Sequence, residues 1–467
     1  MKYDLVLKNG YLVDPENERE GAFDLAVKDG VVCRVDPGIP ATQAAEVFDL
    51  EKRLVMPGLV DLHVHVSEWI GGRMGHKMMA LAGVTTALDT SGPVDGVLEL
   101  ARDYGAGLSL ACLHYVRPGH TVPSENPDRE DLVSLVEECL SRGALGFKIL
   151  GGHYPLDSGA TRLAMEVANE RKAYVAFHAG TLAAGSDLEG FREALGIIGD
   201  LRCHLAHINS YCRGRIRPVV EEVQEAVSAL SSRPHMTTEA YLSPINGTSS
   251  RCSGGRPESA ITRQCLVSGG FEPTEEGLAQ AILAGWAQIN MEAGGINQLA
   301  VGRQGLEYWR SRGTDGTVSF AVNPGESRYL LATAKGEDGS FVVDAISTDG
   351  GGIPRNDTAR LGMGLVRFGG LTLPEFVSKA STRPARILGL SGKGHLGEGA
   401  DGDIAVLDPE TGRPHMTVAN GRLVMYRGVV VGSGTRMITT EAGREHVREY
   451  GLSPLVVDLP ESGFYKK

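Results

Sequence analysis

From residue 58 to residue 351 the chain alternates two kinds of segment. Short apolar runs recur at 58–66, 83–90, 108–116, 144–150, 173–180, 202–210, 235–243 and 341–351. Helix-type segments separate most of them. "NPDREDLVSLVEECLSRG" (126–143) shows the type: Pro127 and acids at its start, apolar residues three and four apart, Gly143 after its end. A short apolar run followed by an amphipathic helix is the sequence form of a strand–helix unit with parallel strands. Eight such units predict an α/β fold of the (β/α)8 TIM-barrel type. A doubly wound sheet fits the same count. The interval of about 244–340 is far longer than the others and holds helical patterns such as "TEEGLAQAILAGWAQI" (274–289). It reads as an insertion over the mouth of the barrel.

The two ends differ from this middle. Residues 1–56 and 389–435 carry alternating apolar segments, with Asn9-Gly10, Asp29-Gly30 and Asn420-Gly421 as hairpin signals. Chain ends are often neighbours, so the two patches predict one small β-sandwich domain. The barrel then spans 57–388, and 436–467 is a tail without a readable role. Of 467 residues, 42% are hydrophobic and 22% charged, which describes a folded globular protein. The net charge of −12 argues against nucleic acid or an anionic membrane surface as partner. No apolar run is long enough to span a membrane, and "MKYDLVLKNGYLVD" lacks the apolar core of a signal peptide. Seven cysteines are scattered without a C-x-x-C pair. This fits a reduced, cytoplasmic protein, expected to be a homo-oligomer acting on a small molecule.

"GLVDLHVHV" (58–66) places two histidines one residue apart. Strand side chains alternate, so His63 and His65 share a face and form a ready pair of metal ligands. The carboxyl ends of later runs add Lys148, His178, His207 and Asp349. Barrel active sites are built at those ends. Any one of these residues fits a satisfied core position; six at strand ends do not. Imidazoles suit zinc and its neighbours, and a carboxylate serves as ligand or base. An ammonium repels cations, so Lys148 makes sense as a neutral amine carboxylated by CO2 to an anionic bridging carbamate between two ions. The plainer reading is a Lys148–Asp349 ion pair in a metal-free barrel.

"GLVDLHVH", the strand-four lysine, the two later histidines and "STDGG" together resemble the metal-dependent amidohydrolase superfamily. "MPGLVDLHVH" (56–65) and "RPARILGLSGKGHLGEGADGDIAVLDP" (383–409) are similar to its branch of hydantoinases, dihydroorotases, isoaspartyl dipeptidases and D-aminoacylases. The resemblance implies that His63, His65 and Asp349 bind one divalent ion, Zn2+ by family habit. It implies that His178 and His207 bind a second and that carboxylated Lys148 bridges them. Asp349 would move the proton from water to the leaving nitrogen. Asp61 would support the site from behind.

"TTEAYLSPINGTSS" (237–250) resembles the pocket segment of D-aminoacylases. Those enzymes often use a strand-two cysteine, whereas strand two here ends "ALDTSGP". Arg213, Arg215, Arg251, Arg256 and Arg355 follow strands six to eight and are candidates for a substrate carboxylate. His153, Tyr154 and Tyr241 are further pocket candidates. His76, His395, His415 and His446 read as structural or exposed. A serine hydrolase lacks its G-x-S-x-G and leaves the ligand set unexplained. The expectation is an amidohydrolase that deacylates N-acyl (D-)amino acids. The alternatives are a cyclic amidase, an isoaspartyl-type dipeptidase, an ester hydrolase on the same metals, or a barrel retained as a non-enzymatic subunit.

Overall fold

The apolar runs form parallel strands whose neighbours follow the chain. The computed structural model describes residues 2–467. Leu59–His65 pairs with Val84–Asp89, which pairs with Ala106–Cys112. One residue later the same segment resumes as His114–Val116 and pairs with Gly146–Leu150. The ladder continues through Tyr174–His178, His204–Leu205 and Thr237–Tyr241 to Ala345–Ser347. Gly350–Gly351, just beyond, pairs back onto Leu59–His65. Val84–Asp89 is buried at every position, as a parallel strand covered on both faces must be. That double burial is why the runs read as apolar rather than alternating.

Three expectations are corrected. The run 202–210 keeps only His204–Leu205 as strand. His207 adopts φ 33°, and Ile208–Tyr211 winds into a 3-10 turn, so the ladder ends early. Asn9-Gly10 is not a hairpin. It lies inside one strand, Tyr3–Asp14, where the register slips between Leu7 and Gly10. A Cβ at Gly10 would stand 2.5 Å from Val55, so glycine is needed for close packing rather than for a turn. Asp29-Gly30 and Asn420-Gly421 are true hairpin turns, with both residues of each at positive φ.

The third correction concerns the insertion. The helix expected across 274–289 stops at Leu283, and Gly285 turns with φ 79°. The chain then forms Ala287–Ala293 and Ile296–Ala300, which join Asn246–Ser249 and Thr317–Phe320 in a four-stranded antiparallel sheet. Leu278, Ile282, Ile289, Trp309, Val318 and Phe320 give this unit its own core.

The two chain ends build one nine-stranded sheet, joined where Leu54–Pro57 pairs antiparallel with Ile404–Leu407. The tail is part of the fold. Gly434–Thr439 runs parallel to Ala106–Cys112, and Phe464 stacks on Tyr174 at 4.4 Å between centroids. Among the described residues no helix is long and apolar enough to cross a membrane.

His76 lies in the helix Gly72–Leu81, fully buried, with neither ring nitrogen partnered. Burial pushes its pKa down to about 4. Free histidine titrates near about 6.5. Between those values the unfolded chain takes up a proton that the folded chain refuses, so stability falls as pH falls. His76→Leu should therefore raise the melting temperature, with an advantage that widens from pH ~7 to ~5. An advantage that does not change with pH would contradict this.

Candidate metal centre

The strand ladder delivers its polar residues to one end. His63 and His65 leave the same face of Leu59–His65. Asp349 sits at the break between Ala345–Ser347 and Gly350–Gly351, with φ 53°. Its amide donates to the His63 carbonyl at 2.8 Å. One ligand atom each from His63, His65 and Asp349 lies within 4.8 Å of the others. His65 Nε2 is 2.7 Å from Asp349 Oδ1, and His63 Nε2 is 3.6 Å from the same oxygen. Lys148 Nζ donates to His63 Nε2 at 2.7 Å and to Thr90 Oγ1 at 3.2 Å. His178 and His207 meet edge to face at 4.5 Å between centroids, and His207 is 4.9 Å from the His63 ring. His178 Nε2 is 2.8 Å from Ser186 Oγ. All six residues expected from the sequence thus gather in one place.

Charge is managed tightly here. Burial alone would raise the Asp349 carboxyl. The Arg355 guanidinium and the two imidazoles outweigh burial and hold it well below the usual carboxylate range. Arg355 Nη1 lies 3.1 Å from Asp349 Oδ2, and its guanidinium covers the Tyr241 ring at 4.4 Å. Burial pushes Lys148 down to about 8, so a minor but appreciable fraction of the amine is neutral near physiological pH. Burial, with Lys148 beside it, pushes His63 to about 4. Asp61 is pushed up to about 7 by burial, although it accepts bonds from His63 N, Thr348 N and Thr348 Oγ1. It ties the first strand to the last beneath the site.

The residues fit a divalent cation. His65 Nδ1 and His207 Nδ1 are buried without a partner, and the donor set of imidazoles and a carboxylate suits zinc-like ions. His65, Lys148, His178, His207 and Asp349 line a cavity of about 410 Å³, near the lower end of the roughly 300–1,000 Å³ of small-molecule sites, and His63 is buried next to them. Arg213, Arg215 and His153 line it. Arg213 is fixed by Asn323 Oδ1 at 3.0 Å and the Tyr241 hydroxyl at 3.1 Å. Tyr241 and Arg355 lie behind the wall, buried. Arg251 is exposed, faces Glu258 at 3.7 Å and does not line the cavity.

Sequence reading missed Glu239 and His204. Glu239 is the acid in "TTEAY", fully buried between His63 and His204. A carboxylate inside a buried strand was the available signal.

The Amidohydrolase family pattern matches residues 328–432. A dihydroorotase of Clostridium acetobutylicum is 24% identical over 87% of this chain and 90% of its own length. Among solved structures, an N-acyl-D-glutamate deacylase of Bordetella bronchiseptica matches with a TM-score of 0.64 at 16% identity, covering 93% of this chain and 99% of that one. A dihydropyrimidinase of Brevibacillus agri matches with a TM-score of 0.61 at 16% identity, covering 92% and 97%. The family match, the dihydroorotase relatives and these structural neighbours all point to a likeness with the metal-dependent amidohydrolase superfamily. The chain shares the mixed α/β fold of these neighbours.

Arg355 meets Asp349 out of water, so removing one partner strands a buried charge. Arg355→Met should cost about 3–5 kcal/mol in denaturant unfolding of the chelator-treated protein. Adding Asp349→Asn should restore much of that loss. Additive losses in the double variant would show that the two charges are not coupled.

Proposed function

We propose that this protein is an amidohydrolase that uses two divalent ions to cleave the amide bond of a small anionic substrate, foremost an N-acyl (D-)amino acid. The observation that carries this reading is the gathering of His63, His65 and Asp349 at a cavity that His65 and Asp349 line together with Lys148, His178, His207 and Arg213. The strand pairing supports an eight-stranded (β/α)8 barrel over 57–388. In this reading 1–56 and 389–435 form the accessory β domain, and 436–467 packs as a tail.

His63, His65 and Asp349 would hold one ion, and His178 and His207 the other. Bound ions, zinc in this reading, would supply Lewis acidity that polarises the amide carbonyl and makes water acidic near neutral pH. Lys148, neutral in part because it is buried, would add its amine to CO2 and release a proton, leaving an anionic carbamate between the two sets of ligands. Asp349 would take a proton from the attacking water and return it to the leaving nitrogen. Arg355 keeps Asp349 anionic for the first of those tasks. Arg213 and Arg215 would receive the substrate carboxylate, since both line the cavity. Trp69, Ile70, Ile261 and Ile353 offer an apolar wall for the other arm. A second reading, opening of a cyclic amide, is favoured by the near full-length match to a dihydroorotase.

Zinc-loaded protein should release primary amine from a panel of N-acetyl and N-formyl D- and L-amino acids. Loss of ring absorbance from hydantoins or dihydropyrimidines without amine would select the cyclic-amide reading, and no turnover on any member would remove both. His63→Ala should lose bound zinc and turnover while its circular dichroism spectrum is unchanged. Arg213→Met should raise KM about tenfold or more for carboxylate substrates, and much less for their carboxamides. An equal rise for both would remove Arg213 from carboxylate recognition.

A further inference from the structure

The metal ligands account for the imidazoles at the cavity floor, yet one buried carboxylate behind them has no role in the reading above. Glu239 is 1% exposed and projects from the strand Thr237–Tyr241. Its Oε1 faces two donors: His63 Nδ1 at 2.7 Å and the backbone amide of His207 at 2.8 Å. Its Oε2 meets His204 Nε2 in a short contact. His204 Nδ1 in turn lies 3.0 Å from Thr237 Oγ1. Thr237, His204, Glu239 and His63 are all buried. The row is shielded from bulk solvent, and its members are ordered by one another.

We propose that Glu239, backed by His204, is a positioning residue for both halves of the metal centre. The argument starts from the tautomer of His63. Lys148 Nζ donates to His63 Nε2, so that nitrogen presents its lone pair and the ring proton sits on Nδ1. Glu239 accepts that proton in a hydrogen bond, which fixes the ring's rotation and keeps Nε2 directed toward Asp349. The same oxygen accepts from His207 N–H, where the backbone holds φ 33°. A non-glycine residue keeps such a conformation only when its surroundings over-determine it. One carboxylate oxygen therefore sets a side chain on the first strand and a backbone turn after the sixth. These belong to the residues assigned to two different ions. A carboxylate that orients a ligating histidine typically contributes about 10- to 100-fold to metal affinity. His204 holds the second oxygen, so the carboxylate cannot rotate away, and Thr237 holds His204.

This inference rests on the metal-centre reading, and the test separates the two. Zinc affinity would be measured by competition with a chromophoric chelator, alongside zinc per chain by elemental analysis and the visible spectrum of the cobalt-substituted protein. Circular dichroism and the melting temperature of the metal-free protein report folding. Glu239→Ala should bind zinc about 10- to 100-fold more weakly than the parent and show an altered cobalt spectrum. Glu239→Gln keeps an acceptor at Oε1 and should fall between the two. If the Ala variant fails to fold, the Gln variant decides, with an expected loss of a few-fold to tenfold. Parental zinc affinity and cobalt spectrum in folded variants would overturn the proposal, because a purely structural role moves only the melting temperature. A parent chain that binds no zinc would instead overturn the metal-centre reading itself.

Discussion

The pairing of Gly350–Gly351 with Val64–His65 is the constraint on which the site depends. It brings together segments separated by almost three hundred residues, and it does so with little tolerance. A Cβ on Gly351 would stand 2.6 Å from the His65 carbonyl oxygen, and Gly351 has φ 71°. The Asp349 amide donates to the His63 carbonyl, and the Gly352 amide to the His65 carbonyl, each at 2.8 Å. The backbone therefore places the Asp349 carboxylate between the two rings before any side chain chooses a rotamer. "STDGG" can present a candidate ligand because it is first a backbone motif. Asp61 reinforces the seam from below by accepting from Thr348 and His63 together.

That placement gathers charges in a dry region, and isolated buried charges are costly. The structure answers by pairing. Arg355 faces Asp349, and Glu239 faces His63 and His204. Lys148 stands out: an amine, shifted by burial toward its neutral form, against an imidazole nitrogen that accepts from it. A carbamate there would reverse the sign at that position, which is what two nearby cations require. The same burial that makes an ammonium expensive prepares the amine for that reaction.

Much of this was legible in the sequence because burial on both faces leaves a simple trace. The strands around His63, Lys148, His178 and Asp349 appear as apolar runs ending in a polar residue. Glu239 was not legible, since its meaning lies in partners 35 and 176 residues away. His207 was found as a ligand candidate but placed on a strand, because a left-handed turn at a histidine leaves no mark in hydrophobic patterning. Asn9-Gly10 misled for a related reason. The dipeptide that permits a tight turn also permits a bulge beneath a close neighbour, here Val55. The insertion hid its sheet because Ala287–Ala293 follows a helix after only a short turn and shares its apolar character.

The candidate metal ligands and the cavity wall obey different constraints. The ligands sit at strand ends and are fixed by the ladder, so moving one breaks backbone pairing. The wall comes from loops and from the insertion. Arg213 is held by Asn323 and Tyr241, and Arg215 by Gln264 at 3.0 Å. Asn323 and Gln264 both belong to 244–340, whose separate core lets it change without disturbing the strands. A fold organised this way can keep its bond-breaking centre while its substrate preference drifts. Neighbours named a deacylase and a dihydropyrimidinase then share one architecture. The orientation of Arg213 and Arg215 by the insertion is the feature through which this chain would select its own substrate.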